Sequence, residues 1–177
     1  MLNVSRTAAA LAIAGAMTLT AAPSFADEPT ATDITGDWSG KGFVQADENA
    51  RKINVRCKIE GSQDETNVAF EGACRAMLVM KREIGARLVK EGDNYTGTYK
   101  GSEVGIAELN GERSVPDQLV LTMTFPREVN GDAVATMTID HGDPNVLTIT
   151  TQDEMESGVM VTTSQIVFER ESKVAAK

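Results

Sequence analysis

Polar and apolar residues alternate along most of this chain with a period of two. Lys52 to Glu60 shows it without a break: Ile53, Val55, Cys57 and Ile59 fall on one side, Lys52, Asn54, Arg56, Lys58 and Glu60 on the other. This is the pattern of an antiparallel strand with one face buried and one in water. Gly61 to Glu65 has turn composition, and Thr66 to Cys74 alternates again through Val68, Phe70, Gly72 and Cys74. Before these, Gly36 to Gln45 reads as a first strand around Trp38, the only tryptophan. Beyond them, Tyr95–Tyr99, Val104–Asn110, Gln118–Pro126, Ala133–Ile139, Val146–Thr151 and Val159–Arg170 read as strands. Asn130-Gly131 supplies the strongest hairpin signal. Val159–Arg170 is expected to place Met160, Thr162, Ser164, Ile166 and Phe168 on one face. Arg75 to Lys90 is ambiguous: Met77, Met80, Ile84 and Leu88 follow helical spacing, but no cap precedes them and Gly85 interrupts them. Two short strands broken near Lys81–Glu83 are favoured over a helix.

Eight to ten strands joined by short turns predict an all-β antiparallel meander. Closing it into an up-and-down barrel removes the exposed strand edges; a two-sheet sandwich is the alternative. Glycines at 40, 42, 72 and 97 lie inside strands and fit barrel bends. The expected layout is a signal segment over 1–26, a loose leader over 27–35, the barrel over 36–170 and a frayed tail over 171–177. The signal segment rests on Arg6, the apolar run Thr7–Thr20 and the small residues of Ser24-Phe25-Ala26, with cleavage after Ala26. That run is shorter than a membrane span. The expected destination is the periplasm or the exterior.

Composition narrows the function. The chain of 177 residues carries a formal charge of −9, which argues against nucleic acid as a partner. Lysines and arginines crowd the first half and carboxylates the second, so a local basic face survives the acidic total. Arg56, Lys58 and Arg75 are its candidate members for partner binding. Cys57 and Cys74 lie at the same inward positions of consecutive strands, and pairing across the Gly61–Glu65 turn sets them opposite one another. In an exported domain this predicts a disulfide. Asp140, His141 and Asp143 are the only histidine-centred candidate for a cation site or a hydrolytic centre. The same residues are ordinary turn formers. No phosphate-cradling or dinucleotide-binding glycine motif is present.

Two short motifs carry a resemblance. Gly36-Asp37-Trp38 resembles the Gly-x-Trp opening of calycins, the lipocalin and avidin barrels; Tyr95-Thr96-Gly97-Thr98-Tyr99 resembles avidin-type glycine-tyrosine strands. The chain is also similar to small exported proteins of alphaproteobacteria. The resemblance implies an up-and-down barrel that holds a small ligand; it carries over no biotin site. The resulting expectation is a non-enzymatic barrel, without cofactor, binding a small, partly apolar ligand. Trp38, Tyr95, Tyr99, Met123 and Phe125 are the candidate lining. Met77, Met80, Met123, Met137 and Met160 serve as core filler or as a pliable pocket wall. The alternative is a protein-interaction or envelope-support module, inhibitor-like, with a packed interior and a periplasmic protein as partner. A hydrolase using the His141 loop is the third reading.

Overall fold

The structure, a computed structural model, describes residues 33–77 and 80–172. The expected signal segment and its cleavage site lie outside the described residues, as do most of the leader and residues 173–177. Ten strands follow one another: β1 (Gly36–Val44), β2 (Ile53–Gln63), β3 (Asn67–Ala76), β4 (Met80–Glu91), β5 (Asn94–Lys100), β6 (Ala107–Val115), β7 (Gln118–Val129), β8 (Asp132–Asp143), β9 (Val146–Glu154) and β10 (Met160–Arg170). Each pairs antiparallel with its neighbours in sequence, and β1 pairs with β10 to close the barrel. The up-and-down barrel is therefore the fold, and the sandwich is not.

Alternation builds the core. Val55, Cys57 and Ile59 of β2, Leu119, Leu121 and Met123 of β7, and Ile166 and Phe168 of β10 all point inward and are buried. Two strand glycines show how closely the strands approach on the inside. A methyl group on Gly72 would sit 2.0 Å from the Lys58 carbonyl oxygen, and one on Gly97 1.9 Å from that of Arg87. Any side chain there collides with the backbone of the next strand. The cysteines pair as expected: Cys57 lies opposite Cys74 with Cα atoms 4.0 Å apart, joined by a disulfide.

Several details differ from the sequence reading. The chain turns at Met77, whose φ of 49° is left-handed, not at Lys81–Glu83; β4 runs straight through those residues. Lys81 and Glu83 are polar because they face outward, not because they break a strand. Ile106 precedes the sixth strand, which continues to Val115. In β10 the register shifts between Thr162 and Ser164, so the inward pattern holds for Ile166 and Phe168 but leaves Met160 exposed. Met77 and Met80 are likewise exposed; of the five methionines considered, Met123 and Met137 are in the core. The strands run from Gly36 to Arg170, and residues flanking them pack on the barrel. Ile34 is buried, and Glu171 donates its N–H to the Asp37 carbonyl while its carboxylate pairs with Lys58 at 2.8 Å.

Candidate functional site

Buried side chains from β1 to β10 pack the interior. The pocket beside Tyr95, Leu119 and His141 measures about 50 Å³. A ligand pocket occupies a few hundred Å³, whereas this space is of the size that holds water. Its polar wall of Gln63, Arg113, Asp117 and His141 suits water. Of the five candidate ligand residues, Tyr95 lines this space, and its hydroxyl accepts a bond from the Arg113 guanidinium at 2.8 Å. Met123 is buried in the core, and Tyr99 and Phe125 pack partly buried against it. Burial pushes the Tyr99 phenol pKa up, with the Arg82 charge opposing. The five do not converge on one cavity.

Trp38 closes one end of the barrel. Its Nε1–H donates to the Ile34 carbonyl at 2.8 Å, His141 meets it edge-on at 5.5 Å, and the Arg170 guanidinium lies 4.2 Å above the ring. Arg170 in turn donates to the carbonyls of Asp33, Thr35 and Pro144. This cluster ties the first described residues to the last strand.

His141 belongs to that cluster, not to a turn. It lies within β8, 4% exposed, while the chain turns later, at Pro144-Asn145. Neither ring nitrogen has a hydrogen-bond partner of normal geometry. Burial is the largest influence on the imidazole and lowers its pKa; the Pro144 carbonyl acts in the opposite sense. Asp140 and Asp143 face outward and serve the local backbone. Asp140 accepts from Gln118 at 3.3 Å, and Asp143 from the Asn145 N–H at 2.8 Å. The three candidate cation ligands are thus divided between the inside and the outside of the wall. Among the described residues no group of three acidic, histidine or cysteine side chains gathers to hold a metal.

The outer wall of β1–β4 is different. Its antiparallel registers place Lys41 opposite Arg56, Arg56 opposite Arg75, and Arg75 opposite Lys81. Four cations therefore lie side by side across four strands, over about 14 Å at the usual strand spacing. The neighbouring cations are neutralised: Lys58 by Glu171, Arg82 by Glu103, Arg87 by Glu71 and Lys100 by Glu83. Lys41, Arg56, Arg75 and Lys81 have no carboxylate within ion-pair distance among the described residues. Like charges directly opposite on a sheet each cost roughly 0.2–1 kcal/mol, so the row opposes folding. The row crosses an open outer concavity of about 1220 Å³, floored by the small residues Ala73 and Gly85. Of the predicted partner residues, Arg56 and Arg75 belong to the row, while Lys58 is committed to Glu171. Sequence reasoning missed Lys41 and Lys81. The signal for both is the register: once Cys57 pairs with Cys74, Arg56 must pair with Arg75, and the row extends outward from there.

No family model matches the chain, and no curated protein matches it in sequence. Solved structures do match in fold. Rv2717c from M. tuberculosis aligns over 78% of this chain and 93% of its own, at 13% identity and a TM-score of 0.62. The S-type phycobiliprotein lyase CPES from Guillardia theta aligns over 78% of this chain and 89% of its own, at 14% identity and a TM-score of 0.52. At these identities the likeness is one of barrel architecture.

Proposed function

We propose that the protein is an exported, non-enzymatic binding barrel that works through the outer wall of β1–β4 and not through a lumen. One contrast carries this reading: the pocket beside Tyr95 and His141 measures about 50 Å³, against about 1220 Å³ for the outer concavity crossed by four unneutralised cations. The disulfide favours an oxidising compartment, as the Ala-rich N-terminal segment does, and the periplasm supplies one. A binder is favoured over a hydrolase because His141 is walled off from solvent and separated from Asp140 and Asp143.

Nuclear magnetic resonance of labelled protein tests the reading. Added polyglutamate is expected to shift the amide signals of Lys41, Arg56, Ala73, Arg75 and Lys81. A panel of small apolar compounds is expected to leave Tyr95, Met123 and His141 unmoved. Saturable shifts at those interior residues, with none on the outer wall, would return the function to the lumen that the calycin resemblance implies.

A further inference from the structure

Resting on the outer-wall reading, we infer that the four-cation row, with Met77 and Met80 beside it, forms a docking surface for an anionic membrane. Met77, just after β3, and Met80, at the start of β4, stand at the rim of the barrel, 63% and 54% exposed. Here they stand one residue pair beyond the cations: Ala76 pairs with Met80, and the next pair inward is Arg75 with Lys81. The vertical order is therefore apolar tip first, positive charge immediately behind it. A lipid surface presents the complementary order, phosphates at the headgroup level and hydrocarbon beneath. A peripheral protein uses both at once, burying a few apolar side chains at the acyl boundary while lysines and arginines meet the headgroups.

An acidic peptide would also satisfy the cations, but it gives the methionines no role. A membrane uses all six side chains. Further apolar residues share this end of the barrel: Ile106 beside β6, and Val159 and Met160 at the start of β10, are each exposed by half or more. Of the carboxylates at this same end, Glu128, Asp132, Glu154 and Glu156 lie on the β7–β10 arc, Glu103 is paired with Arg82, and in the β1–β2 loop Asp47 caps the N–H groups of Asn49 and Ala50 while Glu48 accepts from Ser157. The barrel would thus meet the surface tilted, with the β3–β4 side down. The net charge of −9 does not forbid this. At physiological salt charges beyond about 8 Å are largely screened, so the headgroups sense the near face.

Flotation with lipid vesicles tests the inference. The protein is expected to float with phosphatidylglycerol vesicles at low ionic strength, to stay behind with phosphatidylcholine vesicles, and to be released by salt. Each cation near such a surface is worth about fivefold in partitioning. Arg56→Glu with Arg75→Glu is therefore expected to weaken binding by at least about 25-fold. Should that pair perturb folding, judged by circular dichroism, Arg75→Gln with Lys81→Gln carries the same test. Met77→Ser with Met80→Ser is expected to weaken binding several-fold at unchanged charge. Lys90→Glu, a reversal at the far end of β4, is the control that leaves binding within about twofold. No flotation with the anionic vesicles, equal flotation with the neutral ones, or indifference to the Arg56/Arg75 reversal would overturn the inference. Capture of soluble polyglutamate without flotation would overturn the membrane as partner and leave the outer-wall reading standing. Failure of both, with ligand shifts inside the barrel, would remove that reading as well.

Discussion

The two ends of the barrel solve opposite problems. At one end Trp38, Arg170 and the Asp33–Thr35 segment interlock: a ring is stacked by a cation, and backbone carbonyls receive the donors that would otherwise face water. At the other end methionines stand exposed at the β3–β4 turn, above cations with no anion. The first end spends its side chains on itself. The second leaves apolar area and charge uncommitted, at some cost in stability. Residues that oppose folding and still sit in register across four strands point to a partner, whereas residues that satisfy one another point to architecture.

Substitutions should separate the ends by size of effect. Trp38→Ala empties the closed end and is expected to cost about 3–5 kcal/mol in denaturant unfolding. A loss below about 1 kcal/mol would mean that the plug is ornamental. Next comes the bridge between β2 and β3. Cys57→Ala with Cys74→Ala opens a crosslink of sequence separation 17 and should cost about 3 kcal/mol, read as a lower midpoint with the fold retained. Two alkylated thiols in native protein would show that the bond does not form.

The closed end should also register pH. His141 has its pKa lowered by burial, so the unfolded chain takes up a proton that the folded chain resists. Stability is then unaffected above the ordinary value of about 6.5 and falls as pH drops from there towards the lowered one. Asp153 opposes this at lower pH. Burial raises its carboxyl pKa, so protonating it relieves the folded state. Unfolding curves across this range should show the loss, and His141→Gln should flatten it; an unchanged slope would place the titrating group elsewhere. The smallest effect belongs to the open end. Arg75→Gln should leave stability unchanged or raise it by a few tenths of a kcal/mol, because it removes two like-charge contacts. A loss above 1 kcal/mol would show that the row is structural.

Much of this was legible in the sequence because period-two alternation reports directly on a one-sided core. β2 and β3, the cysteine register and the Asn130-Gly131 hairpin follow from local pattern. Asn130 takes the left-handed φ of 58° that such a turn requires, and its side chain is held by Asp153 at 2.8 Å. His141 was misread because Asp140-His141-Gly142-Asp143-Pro144 has turn composition, yet the strand runs on to Asp143 through a register shift. Composition describes a segment's freedom to turn; pairing with β9 decides where it does. The turn at Met77 was missed for the complementary reason. Met77 and Met80 are apolar, which suggests burial, and nothing local says that these two stay outside. The cation row was half legible: Arg56 and Arg75 follow from one hairpin, whereas Lys41 and Lys81 require two further registers.

The pairing of β1 with β10 also sets a clock. Arg170 donates to the Asp33 carbonyl across 137 positions of sequence, and the ring between them holds every strand of the barrel. Hairpins such as β2–β3 can form as soon as their own residues are free, but the ring cannot lock until its final strand arrives. Such long-range closure makes folding slow relative to local pairing. A chain that is threaded through a membrane or released from a ribosome from its N-terminus would hold β1 unpartnered on one side until the very end. Truncation before Ile166 would leave it in that state permanently, with two open strands ready to join those of another copy.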